Sequence, residues 1–298
     1  MVRPPVIPLS GGKHDRAAAR RRDEAWLAEA RSAAGTRVLM VRAAAQLLVN
    51  EGALGHVEWS ALPPEASPVF LGIDATGRAI FVADVDQHDL EPDLATAFAE
   101  LRAIGATLPE GEAALAAQAV ALVGWHRRHR FCGACGSETI VEEAGHSRRC
   151  LNCGLQHFPR TDPAVIMMIV DGDRAVLSKR RGPMRNNVWT ALSGFVEPGE
   201  TPEEAVAREV YEEVGLVVSD VRYFAAQPWP FPASLMIGFY GDAEYGPLTV
   251  DEELEDARWF TRDELRRAVK LGEISYPPPF SISHFLISGW LNGESSPD

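Results

Sequence analysis

The chain has 298 residues, of which 46% are hydrophobic and 24% charged, and a formal net charge of −13. That length suits about two domains, and the composition is ordinary for a soluble globular protein. The acidic balance argues against non-specific nucleic-acid binding, which rests on phosphate neutralisation, so any contact with nucleic acid should be local. No apolar run approaches the ~20 residues of a membrane helix. The start lacks the apolar stretch of a secretory signal. Arg16, Arg20, Arg21 and Arg22 faintly resemble a transit peptide, but Asp15, Asp23 and Glu24 argue against one, and a cytoplasmic location is expected.

Residues 1–125 are read as an N-terminal α+β domain, with 1–35 partly loose around a helix over 23–33. Strands are expected at 38–40, 69–73 and 79–82, the last two flanking a hairpin-like turn at 74–77. Residues 95–104 and the Ala-rich 112–124 read as helices. No catalytic constellation is visible in this region.

Residues 126–160 carry all four cysteines, as Cys132-Gly-Ala-Cys135, fourteen residues, then Cys150-Leu-Asn-Cys153. Paired CxxC at this spacing indicates a tetrahedral structural zinc, closed by four thiolates and therefore without a position for chemistry. Gly133, Gly136 and Gly154 suit the tight knuckles such a site needs. Two disulfides are the other reading, disfavoured without a secretion signal. His146 and His157 are expected to be ordinary surface histidines. His126, Arg127, Arg128, His129, Arg130, Arg148 and Arg149 form a basic group that is read as a solvated face, or as a local track for a phosphate chain.

Residues 161–298 are read as the catalytic domain, with strands at 164–170, 175–178, 189–192, 221–226 and 235–240 and a loop at 182–187. Its centre is the stretch 194–216, GFVEPGETPEEAVAREVYEEVGL. Thr201 can cap a helix that has Pro202 at its first position and Glu204 completing a capping box, and Gly215 suits the left-handed residue that ends it. Val206, Val210 and Val214 recur every four residues as a buried stripe. Glu209, Glu212 and Glu213 crowd a different face, where like charges repel unless a cation lies among them. Carboxylates without Cys or His favour a hard ion, Mg²⁺ or Mn²⁺. A solvated acidic face is the alternative for an isolated Glu-Glu pair.

The string Gly194, five residues, Glu200, seven residues, then Arg208-Glu209-Val210-Tyr211-Glu212-Glu213-Val214-Gly215-Leu216 resembles the Nudix box at every fixed position. Nudix proteins hydrolyse nucleoside diphosphates linked to another moiety. The resemblance implies an α/β/α sandwich with a mixed sheet and metal held by Glu209 and Glu213. It makes Glu213 the base that takes the proton of the attacking water, with Glu212 beside it and Arg208 as a brace. It adds the Ser193 carbonyl and Glu253 to the metal shell, with Glu252 and Glu255 as alternatives to the latter.

Eleven residues after Leu216 comes Gln227-Pro228-Trp229-Pro230-Phe231-Pro232-Ala233-Ser234. Alternating prolines stiffen the segment and present Trp229 and Phe231 at little entropic cost, as stacking on a nicotinamide or adenine ring requires. A rigid linker or a proline-rich protein ligand would look the same in isolation. A Nudix box followed by QPWPFPxS and preceded by a four-cysteine ribbon is similar to the bacterial NADH pyrophosphatase subfamily (NudC-type), from about Thr36 onward. The resemblance implies a homodimer that cleaves NAD(H) to nicotinamide mononucleotide and AMP and acts on RNA with a 5′ NAD. It assigns residues 227–234 to substrate, together with Phe195 and Phe158 for stacking, Ser283 and Arg102. Phe158 stands where the family often has tyrosine, an acidic family position falls on Gly145, and the serine before the motif is Ala226. An ADP-ribose-preferring Nudix hydrolase and a non-catalytic NAD- or RNA-binding regulator are the competing readings.

Overall fold

The computed structural model describes residues 6–88, 90, 97–182 and 187–293. The chain divides into two units: residues 8–161 with 228–233, and residues 162–227 with 234 onward and those before Pro8.

In the first unit the elements run α1 (Glu24–Ser32), β1 (Arg37–Arg42), β2 (Gln46–Asn50), β3 (Ala53–Leu54), β4 (Val69–Ile73), β5 (Ala79–Asp84), β6 (Phe98–Glu100), α2 (Leu101–Ile104) and α3 (Glu112–Arg128). The sheet order is β3-β2-β1-β5-β4, with β6 also on β2. Asp74 builds the β4–β5 turn by accepting from the Thr76 and Arg78 amides at 2.8 and 3.0 Å. Leu27 and Ala30 of α1 pack with Val38, Met40, Phe70 and Phe81. The ribbon adds an antiparallel sheet of β7 (Thr139–Glu142), β8 (Ser147–Cys150) and β9 (Gln156–His157).

The second unit contains β10 (Asp162–Asp171), β11 (Arg174–Arg180), β12 (Leu192–Phe195), α4 (Pro202–Val214), β13 (Ser219–Trp229), β14 (Ser234–Asp242), β15 (Leu254–Thr261), α5 (Arg262–Lys270) and α6 (Ile282–Leu291). The sheet is mixed, in the order β13-β14-β10-β11-β15 with β12 on β10; β10 is parallel to β14 and antiparallel to β11 and β12. The apolar run in β10 is explained by its two covered faces. Val165, Met167 and Ile169 pack with Val206, Val210 and Val214 of α4, while Ile166 and Met168 pack with Leu286 and Trp290 of α6. This is an α/β/α sandwich.

Several expectations need correction. The helix placed over 95–104 begins outside the described residues, and Phe98–Glu100 is instead a strand paired with β2. The strand expected over 189–192 starts only at Leu192, since Thr190 makes an isolated bridge to Ser178. Of the loop 182–187, residues 183–186 lie outside the described residues. Within the stretch read as partly loose, Ile7 and Leu9 are fully buried and Asp15 pairs with Ile73. His146 is half-buried and not free at the surface; its Nε2 bonds the Phe70 carbonyl at 2.7 Å, and burial pushes its pKa down to about 4.

Candidate active site and metal centre

The helix that carries the carboxylates is bounded by its own sequence. The Thr201 hydroxyl accepts from the Glu204 amide (3.2 Å), and Glu204 accepts from the Thr201 amide (2.7 Å). At the other end Gly215 adopts φ 76° and donates to Tyr211. The valine stripe faces the sheet, which fixes the rotation of the helix and turns Glu209 and Glu213 towards β12. There a Cβ on Gly194 would lie 1.8 Å from the Glu209 carboxyl carbon, so only glycine leaves room for that carboxylate.

Arg208 collects most of the remaining charge. Its guanidinium donates to Glu200 (2.6 and 2.9 Å), Glu209 (2.9 Å), Glu212 (2.9 Å) and the Phe195 carbonyl (2.9 Å). This contact holds the Glu200 carboxyl down at about 2. Glu212 points outward and is 54% exposed. Glu213 is the opposite case, with a side chain only 3% exposed. Burial pushes its pKa up to about 8, even though the neighbouring Arg180 pulls it down. Its Oε1 accepts from Arg180 at 2.9 Å, while its buried Oε2 has no hydrogen-bond partner among the described residues. Burial also raises Glu209.

An all-oxygen donor set, a buried carboxylate oxygen without a partner and a glycine cradle around a second carboxylate fit a hard divalent cation. Arg180 also donates to the Ser193 carbonyl, and its Nη1 lies 3.6 Å from Glu253. Ser193, Glu213 and Glu253 therefore meet around one guanidinium, and Glu209 stands beside Glu213 on the helix. Arg180 carried no assignment from sequence; a cation at the end of a strand gives no signal of what it meets across the sheet. Glu200 was visible only as a fixed position of the motif.

In the ribbon the four Sγ atoms lie within 4.8 Å of one another, with Cys132–Cys153 at 3.7 Å and Cys135–Cys150 at 3.4 Å. A tetrahedral zinc with bonds of about 2.3 Å separates its sulfurs by roughly 3.8 Å, so the cage fits zinc. Two matching turns build it: the Gly136 and Gly154 amides donate to the Cys132 and Cys150 carbonyls, and both glycines have positive φ. Among the described residues no His, Asp or Glu group is as compact.

Three family models match in succession: "NADH pyrophosphatase-like rudimentary NUDIX domain" over 21–125, "NADH pyrophosphatase zinc ribbon domain" over 127–158 and "NUDIX domain" over 160–278. The chain is 42% identical over 240 residues to the NAD-capped RNA hydrolase NudC of Mycobacterium bovis, covering 76% of each protein. The chain belongs to the NudC-type family of Nudix hydrolases. It is also 41% identical to the NAD-capped RNA hydrolase NudC of Mycobacterium tuberculosis, again over 76% of each. To the human NAD-capped RNA hydrolase NUDT12 it is 43% identical over 198 residues, 62% of this chain and 43% of the human one.

In this Nudix hydrolase the residues expected at the substrate fall into two groups by their surroundings. Trp229 and Phe231 stand edge to face at 5.3 Å, and the Arg102 guanidinium lies over both rings, 4.9 and 3.9 Å from their centroids. Sequence separation of over a hundred residues hid that contact. Pro230 is buried and Pro232 exposed, with Pro228 and Ala233 half-buried. Ser234 opens β14 opposite Asp162. Phe158 and Phe195 are both exposed. The second group is internal. Gln227 is fully buried, donating to the Phe280 carbonyl (2.7 Å) and accepting from the Ile282 amide (2.8 Å), which ties β13 to the start of α6. Buried Ser283 accepts from the Ala191 amide at 3.1 Å. In the basic group, Arg127 is bonded to Asp84 and Arg148 is buried against Thr139 and His126, whereas Arg128 and Arg130 face solvent.

Proposed function

We propose that this Nudix hydrolase cleaves the pyrophosphate of NAD(H) to nicotinamide mononucleotide and AMP, and removes 5′-NAD caps from RNA. The observation that carries the reading is the intact carboxylate set, Glu209, Glu212 and Glu213, in the same chain as Gln-Pro-Trp-Pro-Phe-Pro-Ala-Ser. The names of the mycobacterial and human relatives support the RNA substrate.

Ser193, Glu209, Glu213 and Glu253 are the residues that would hold Mg²⁺ or Mn²⁺. When bound, the ion neutralises pyrophosphate oxygens and makes a coordinated water more acidic. Glu213 takes the proton from the attacking water. Arg208 keeps Glu209 and Glu212 in place. Trp229 and Phe231 present aromatic faces for a base or nicotinamide ring, and Phe195 and Phe158 are each assigned to stacking by the family resemblance. The family resemblance also supports a cytoplasmic homodimer, the dimer being testable by sedimentation.

The test is a product assay with Mg²⁺ or Mn²⁺, offering NADH, ADP-ribose and a short 5′-NAD RNA in parallel. Release of nicotinamide mononucleotide from NADH or the RNA, with little cleavage of ADP-ribose, is expected. Preferential ADP-ribose cleavage would assign the site to another dinucleotide class. Binding of NAD without turnover under either metal would make the protein a regulator.

A further inference from the structure

Arg180 ends β11, where the pairing with β15 slips: Lys179 faces Asp256, but Arg180 faces Leu254. Such a bulge turns one side chain out of the regular alternation. The neighbours secure the turn. Lys179 is paired with Glu255 at 2.7 Å, and the Arg181 amide and Nε donate to the Glu253 and Glu252 carbonyls at 3.2 and 3.0 Å. Arg180 is thereby aimed inward, 29% exposed, at Glu213 (2.9 Å), the Ser193 carbonyl and Glu253 (3.6 Å).

Those three residues are three of the four assigned above to a divalent cation, although on Glu213 the guanidinium holds Oε1 and leaves Oε2 open. Arginine offers only donors and stays charged throughout the accessible pH range. A guanidinium and a divalent cation repel, and the same lone pairs cannot serve both at contact distance. The geometry points to Arg180 as a displaceable internal cation, which gathers Ser193, Glu213 and Glu253 and must withdraw from them when the metal binds. The inference rests on the metal-dependent reading of the site. It makes Arg180 a positioning residue that lowers metal affinity while keeping a buried carboxylate from standing uncompensated.

The test measures Mn²⁺ binding to the full chain without substrate, by electron paramagnetic resonance of the free ion, alongside thermal melting in EDTA. Arg180→Gln should bind Mn²⁺ about tenfold more tightly than the wild type, because the competitor is gone. It should also melt lower in EDTA and recover more on adding Mn²⁺. Arg180→Lys, with one compact ammonium in place of the fork, should fall between the two. It also serves as the decisive variant if the glutamine form does not fold. Unchanged or weaker Mn²⁺ binding in the substituted chains would overturn the inference, since a brace for the metal ligands predicts loss. Absence of Mn²⁺ binding in the wild type would instead sink the metal-dependent reading itself.

Discussion

Gly194→Ala is the most economical probe of the site, because it adds a single methyl group at a defined place. The new Cβ would sit 1.8 Å from the Glu209 carboxyl carbon and 2.0 Å from both oxygens. Carbon atoms rest at about 3.5–4 Å, so the carboxylate must retreat by roughly 2 Å. The strand itself has no reason to fail. Gly194 pairs in register with Val165 and is absent from the positive-φ positions, so alanine is acceptable to the backbone. The displaced group is the end of a flexible side chain, and its lost bond to Arg208 costs roughly 1–3 kcal/mol. In a domain of this size that lowers Tm by a few degrees. Catalysis should suffer far more, since a misplacement of about 1 Å is worth on the order of 100-fold in rate. Mn²⁺ titration, NADH hydrolysis and a melting curve measured together separate the two effects. A variant with wild-type kcat and Mn²⁺ affinity would refute the cradle argument.

Glu213→Gln should reduce turnover on the order of 10²–10⁴-fold while NAD still binds, as a rate assay paired with equilibrium binding would show; undiminished turnover would remove Glu213 from the mechanism. The same residue sets a pH dependence in metal-free protein. Its folded pKa, about 8, lies above the ordinary carboxylate value, so its share of stability is complete at pH 4 and is lost as pH rises through 8. Melting in EDTA across that window should therefore fall less in Glu213→Gln than in the wild type, and parallel curves would contradict the assignment. Cys150→Ser opens the thiolate cage, so zinc content by mass spectrometry should drop and melting should lose cooperativity or several degrees; retained zinc at full stoichiometry would argue for a different ligand set. Trp229→Ala should raise KM for NADH with a smaller change in kcat, as loss of about 1–3 kcal/mol of stacking requires; an unaltered KM would exclude the ring from binding.

The parts of the fold that were legible in sequence are those whose signals are local. The helix over Pro202–Val214 announced both caps and its valine stripe, and the ribbon announced itself by two CxxC pairs at fixed spacing. β15 was not legible. Its buried residues, Leu254, Ala257 and Phe260, fall every third position, so no alternation marks a strand. Pairing along the whole of β11 makes it a strand. α5 did carry a signal, the Thr261–Glu264 capping box, but it buries only Leu265 and shows no stripe. Arg180 and His146 share another reason. Each is defined by a partner distant in sequence, and no pattern within the neighbouring residues encodes such a meeting.

Charge ties these observations to the chemistry. The crowding of Glu209, Glu212 and Glu213 would be expected to destabilise the helix, yet the structure distributes the load unequally. Arg208 braces Glu200, Glu209 and Glu212 from the solvent side, where each exchange of water for a guanidinium is cheap. Glu213 is left inside, with one oxygen on Arg180 and the other without a partner among the described residues. Among the described residues, five carboxyl groups, with Glu253 included, pair with two guanidinium groups, Arg208 and Arg180. Burial raises the pKa of Glu213 and Glu209 and so disfavours their charged forms without a partner, and a divalent cation at this low-dielectric end of the cluster would favour their ionised forms. A site arranged in this way favours the metal without being collapsed in its absence, because Arg208 holds the helix charges and the movable Arg180 covers the rest.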